Sequence, residues 1–380
     1  MGGFGLHISL CPKNEVDKEA IMNAAQFGTG FDGIMCKRFE KIVSTAIGVS
    51  STKVTSSYTN AFRNLLYAWS VGKNEAVFVS AFTSPLLINI IKESGATAVL
   101  VDCDDDTWNM SAEKLRKEVK KCIEKDTLYP RAVIVSDILG IPFDADAISE
   151  VCDEFGLLLA EDAFFSLGAT YKGRMAGSLG DAAVTSFEPP FFPGAFGRSG
   201  AILTNETQLA KVVRLICNGG SKVFSTSTGV KETVRFGEYS FLDEFTASLL
   251  FEGFKGRIDR LRKRQHNASK ICKAVEGSSV RIQKSPENTF GSYPFMTLKA
   301  QNKDEMSRMV CELKKAGIES SGFYSKPLCR HSALKHLNYF ENDLPVSSDL
   351  SVTLFAVPCH EKITEEELDY ICSTLKIVCR

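Results

Sequence analysis

The strand-like run LLLAED ends on Asp162, and six phenylalanines (Phe164, Phe165, Phe187, Phe191, Phe192 and Phe196) fall within the next 34 positions. A carboxylate set among rings is costly unless it meets hydrogen-bond donors, a cation or a bound ligand. The cluster reads either as an apolar ligand pocket or as filled core in which Asp162 and Ser186 are satisfied by nearby backbone. Farther along, Arg198, Tyr324, Lys326, Arg330 and His331 are residue types that recognise phosphate or sugar. Metal chemistry lacks its ligand patterns: the twelve cysteines are scattered without a C-x-x-C pair, and the five histidines are equally dispersed. We expect no metal site, and read the cysteines as reduced thiols packed as small hydrophobes.

The elements that must position these residues follow from hydrophobic patterning. Segments 75–80, 97–102, 131–137, 157–162, 182–187 and 200–205 are nearly continuous in apolar residues, as strands buried on both faces are. Helical-period stretches at 60–70, 85–93, 112–124 and 145–155 separate them, the third with Ser111 as N-cap. This alternation predicts an α/β fold with a mainly parallel central sheet flanked by helices. After about residue 250 the pattern changes to a basic helix, FKGRIDRLRKRQHNASKICKAV, then strand, helix, strand and closing helix. We expect a large domain over 1–250 and a smaller α+β domain over 251–380. The basic helix reads as a solvated linker, with Ile258 and Leu261 on its core face.

Composition narrows the function classes. Hydrophobic residues at 44% and charged residues at 24% describe a globular chain with a sizeable core. Lys+Arg 45 against Asp+Glu 46 gives no field to attract nucleic acid or an anionic membrane. The longest apolar stretch, 76–91, is broken by Ser80, Thr83, Ser84, Pro85 and Asn89, so no membrane span is expected. The start MGGFGLHISLCPKNE has neither a basic n-region nor an apolar h-region, and we expect a cytoplasmic protein.

The segment EDAFFSLGATYKGRMAGSLGDAAVTSFEPPFFPGAFGRSGAILTN (161–205) resembles the signature region of the DegT/StrS-type sugar aminotransferases, fold-type I enzymes dependent on pyridoxal phosphate (PLP). Upstream, VSSTKVTSSYTNAF resembles the family's phosphate-loop helix. Downstream, GEYSFLDEFTASLL and GIESSGFYSKPLCRHSALK resemble the stretches that close the large domain and build the substrate side. The resemblance covers the whole chain and implies a PLP-transferase fold with a smaller C-terminal domain. It also implies which groups the reaction needs. The Schiff-base lysine lies in a segment of the form SFxPxKxLGAxGxGGA, here SFEPPFFPGAFGRSGA, which sets Phe191 at the lysine position. The nearest lysines are Lys172 and Lys211.

By the same resemblance the surroundings have changed. The phosphate turn is Ser57-Tyr58-Thr59, where the family has glycine at the centre. The ring that stacks on the pyridine becomes Ser84, the Gln or His facing the phenolic oxygen becomes Phe165, and the G-x-N-x-R segment reads Gly237-Glu238-Tyr239-Ser240-Phe241. Asp162 remains in the place of the pyridinium partner, with Thr59 and Ser186 near the phosphate. We therefore expect a vestigial pocket of Asp162, Ser186, Thr59, Ser57, Phe165 and Ser84, no catalytic residue, and no cofactor, with non-covalent PLP or pyridoxamine phosphate (PMP) as the alternative. The leading expectation is a non-catalytic homodimer, or heterodimer with an active paralogue, that binds or regulates around a nucleotide sugar. Arg198, Tyr324, Lys326 and His331 are candidate ligand contacts. A nucleotide-sugar enzyme with non-covalent PLP or PMP, and a PLP-independent enzyme in a remodelled pocket, remain open.

Overall fold

The apolar runs do form strands buried on both faces. A computed structural model describes residues 7–12, 18–26, 30–191, 195, 197–223 and 231–380, so Phe192 and Phe196 of the aromatic cluster lie outside the described residues. Seven strands make the large sheet: β1 (Ser51–Thr55), β2 (Glu75–Ser80), β3 (Thr97–Val101), β4 (Tyr129–Ser136), β5 (Leu158–Asp162), β6 (Ala182–Ser186) and β7 (Gly200–Thr204). Their order is β1-β7-β6-β5-β4-β2-β3. Every pairing is parallel except those of β7, which runs against both β1 and β6.

Helices α1 (Ile34–Ile47), α2 (Tyr58–Ala68), α3 (Pro85–Glu93), α4 (Ala112–Lys125), α5 (Ala145–Phe155) and α6 (Thr207–Cys217) flank the sheet. Local chemistry fixes their starts. Ser57, Ser84, Ser111 and Asp144 each accept a backbone N–H from the first turn, at 3.1, 3.3, 3.3 and 3.2 Å respectively. Strand β1 escaped the periodicity reading because four of the five residues of STKVT are polar. Its Lys53 is nevertheless buried, held by Asp32 and by Glu40 at 3.2 Å.

A second, antiparallel sheet of β8 (Arg281–Ile282), β9 (Met296–Lys299) and β10 (Leu354–Val357) packs Leu298, Phe355 and Leu375 into a core of its own. The late chain also returns to the large sheet, where Leu328, Leu334 and Leu344 join the core. The basic segment departs from expectation. It is two helices, α7 (Glu244–Lys255) and α8 (Arg257–Ala274), parted at Gly256, and Ile258 is 50% exposed rather than core-facing. No helix among the described residues is long and apolar enough to cross a membrane.

Candidate functional site

The site lies where ligands of α/β sheets usually bind, beyond the carboxyl ends of the strands. Strand β5 delivers Asp162, β4 ends on Ser136, and the turn after β2 supplies Thr83. Asp162 is 6% exposed. Its Oδ2 accepts from Ser136 Oγ at 2.7 Å, and its Oδ1 accepts from the Phe164 N–H at 3.2 Å. The Tyr58 hydroxyl is its third donor. Ser136 Oγ is in turn 3.1 Å from Thr83 Oγ1. Burial pushes the Asp162 carboxyl up to about 6, and the donors from Ser136, Tyr58 and Phe164 limit the rise. Burial, and then the Asp162 charge, push the Tyr58 and Tyr324 phenols upward.

Tyr58 owes its place to a glycine. A Cβ on Gly200 would lie 2.7 Å from Tyr58 Cα, so only glycine lets β7 run beneath the start of α2. Beside Asp162 sits a second buried acid pair, Asp137 and Glu161. Glu161 accepts from the Gly177 and Leu179 N–H groups at 2.6 and 2.8 Å. Burial, and the hydrogen bond and charge of Asp137, drive Glu161 well upward; burial pushes Asp137 to about 6.

Rings enclose the other side. Phe165 meets Phe164, Phe191 and Phe295 edge-on, with centroids 4.6, 5.1 and 5.4 Å apart, and Phe323 stacks on Phe295 at 4.1 Å. The aromatic cluster is therefore partly filled core and partly wall. The cleft it bounds has a volume of about 280 Å³ and is lined by Asp162, Thr59, Ser84, Phe165, Phe191, Arg198 and Tyr324, among others. Arg198 is the cation of this lining, and among the described residues no lysine faces the cleft.

Other expected residues stand elsewhere or are already engaged. Ser57 is the N-cap of α2 and lies 3.0 Å from Thr59 Oγ1. Ser84 caps α3. Ser186 opens not on the cleft but on a neighbouring cavity behind Phe165 and Phe191, with its buried Oγ unpaired. Lys326 and His331 stand outside the cleft lining, where His331 Nε2 is 3.2 Å from the Lys326 carbonyl. Sequence reasoning missed Ser136, although the end of a predicted parallel strand was a signal that could have found it. It also assigned Tyr58 to the phosphate space rather than to Asp162.

The donor set fits a pyridoxal cofactor. A carboxylate has about four lone-pair sites, and Asp162 has three donors, which leaves one for a ring N–H. The amino end of α2, with Thr59 beside it, is the kind of terminus that binds phosphate. Comparison with known proteins agrees. The UDP-2-acetamido-2-deoxy-3-oxo-D-glucuronate aminotransferase of Pseudomonas aeruginosa is 25% identical over 363 residues, 96% of either chain. A DegT DnrJ EryC1 StrS aminotransferase from Brucella abortus superposes with a TM-score of 0.88 at 27% identity, covering 95% of this chain and 94% of that one. Spr1654 of Streptococcus pneumoniae, solved in a PLP form and in a PMP form, shares the fold with a TM-score of 0.86 for the PLP form, at 22% identity over 98% of both chains. These findings overturn the expectation that no cofactor binds, because the fold and family are those of PLP-dependent aminotransferases. Residues 13–376 match the DegT/DnrJ/EryC1/StrS aminotransferase family, and this chain belongs to that family of sugar aminotransferases in nucleotide-sugar biosynthesis.

Proposed function

We propose that this family member holds PLP or PMP without a covalent lysine link and does not itself transaminate, acting instead as a nucleotide-sugar-binding partner in amino- or deoxysugar biosynthesis. The observation that supports the reading is the cleft lining: it holds the buried carboxylate Asp162 and, among the described residues, Phe191 and no lysine. PLP, when bound, supplies an electron-poor ring that stabilises negative charge on the substrate carbon. Asp162 would hold the ring nitrogen, oriented by Ser136 and Tyr58, and the amino end of α2 would take the phosphate. Phe164, Phe165 and Phe191 keep water from one side. Among the described residues the lining offers no lysine to shuttle a proton, and Tyr324 is driven upward by burial and by Asp162. We further propose a homodimer, or a heterodimer with an active paralogue, as the assembly.

The test is an amino-transfer assay with glutamate and a nucleotide-linked keto-sugar, run beside a PLP titration followed by absorbance. The reading expects a PLP spectrum that dialysis removes and no amino-sugar product. Turnover at an ordinary enzyme rate by the chain alone would overturn it.

A further inference from the structure

Behind the Phe164–Phe165–Phe191 wall lies a second cavity of about 340 Å³, and three guanidinium groups face it. Arg257, Arg260 and Arg264 are spaced i, i+3, i+7 on α8, which sets them on one helix face. None is held by a carboxylate among the described residues. Arg257 rests on the Phe254 ring at 4.5 Å and donates to the Phe254 carbonyl at 3.4 Å, and Arg260 donates to the Gly253 carbonyl. The Arg264 Nε is buried without a partner. Arg262, turned away from this face, does find an acid, Asp259 at 3.7 Å. Burial lowers the proton affinity of Arg260 and Arg264, with Glu361 opposing it from a distance. Across the cavity, Ser186 is 7% exposed and its Oγ has no hydrogen-bond partner. Ile47, Leu261 and Pro294 supply apolar walls.

A buried guanidinium N–H on Arg264 and a buried hydroxyl on Ser186, both unpaired and beside two further guanidinium groups without a carboxylate, are expensive unless something accepts from them. We propose that this cavity is a binding site for an oxyanion carrying an apolar group, its phosphate or carboxylate oxygens taken by Arg257, Arg260, Arg264 and the Ser186 hydroxyl, and its apolar part by Ile47, Leu261 and Pro294. Guanidinium groups are suited to either head group, because their fork of donors matches both. The site is separate from the Asp162 cleft, and its existence does not depend on how the cleft treats PLP.

Isothermal titration of the purified protein with phenyl phosphate and with benzoate, and with inorganic phosphate and benzyl alcohol as half-ligands, tests the site. One of the two complete probes should bind saturably at one site per chain and more tightly than either half-ligand; the better probe identifies the head group. Arg260→Gln should weaken it about 10- to 100-fold, the loss of one charge-assisted hydrogen bond. Arg262→Gln should leave it unchanged. Ser186→Ala removes only an unsatisfied hydroxyl, so it should fold normally and weaken binding several-fold, which keeps the test decisive if Arg260→Gln fails to fold. Asp162→Asn should not alter the affinity, and a loss there would reassign the probe to the cleft and overturn the proposal. Absence of saturable binding by both probes, or unchanged affinity in both Arg260→Gln and Ser186→Ala, would overturn it as well.

Discussion

Replacing Asp162 by asparagine should stabilise the cofactor-free protein while weakening its hold on PLP. The carboxyl stands at about 6 in the fold against an ordinary 3.8. A group raised in this way contributes its stability below the unfolded value, and that stability is lost as pH rises through about 6. At about 1.36 kcal/mol per pKa unit, the ionised form costs the fold about 3 kcal/mol above pH 7, of which roughly half is already present at pH 5. Asparagine never ionises. Its carbonyl can accept from the Phe164 N–H and its amide can donate to a Ser136 or Tyr58 hydroxyl that turns to accept, for a loss of about 1 kcal/mol. The net gain of about 2 kcal/mol corresponds to about 2 to 3 °C in a chain of this length. Thermal melts at pH 5, 6, 7 and 8 should show the advantage growing with pH and levelling above 7. Added PLP should reverse the order, because the ring N–H pairs with the carboxylate and has only a neutral oxygen in the variant. A variant less stable than the parent at pH 8, or a difference that does not change with pH, would refute the buried, raised carboxylate.

Phe191→Lys should restore no amino transfer, since Ser84 and Phe165 still fail to stack on and contact the cofactor; activity at an ordinary rate in a folded variant would count against the altered cleft. Gly200→Ala should cost about 1 to 3 kcal/mol and weaken PLP binding, because its Cβ displaces the Tyr58 backbone, as melting and an absorbance titration would show. Asp137→Asn should flatten the fall of stability as pH rises from about 4 through about 6, where the buried Asp137 carboxyl gives up its proton; an unchanged slope would place that fall elsewhere. Light scattering at micromolar concentration should give the mass of a dimer, and a monomer would weaken the partner reading.

The strands of the large sheet other than β1, and most of the flanking helices, were legible because burial on both faces leaves a continuous apolar run, and because Ser111 announces its helix. Asp162 was legible as a strand-end carboxylate. Its donors were not, since Ser136 and Tyr58 come from other segments and the sequence carries no mark of their meeting. The helix break at Gly256 was equally hidden. Read as one solvated helix, the basic run showed its cations facing water; in the structure the spacing of Arg257, Arg260 and Arg264 on α8 turns three guanidinium groups toward a cavity instead. The resemblance set Ser186 near the phosphate of the same pocket as Asp162, yet the Phe165 and Phe191 rings set the two on different cavities.

The central claim is that PLP sits in this cleft with no lysine joined to it, and borohydride reduction of the PLP-saturated protein followed by peptide mass spectrometry tests it most directly. The account predicts saturable PLP absorbance that Asp162→Asn weakens and no reduced pyridoxyl group on any stoichiometrically labelled lysine. A single lysine labelled in full, and protected by a nucleotide sugar, would contradict it.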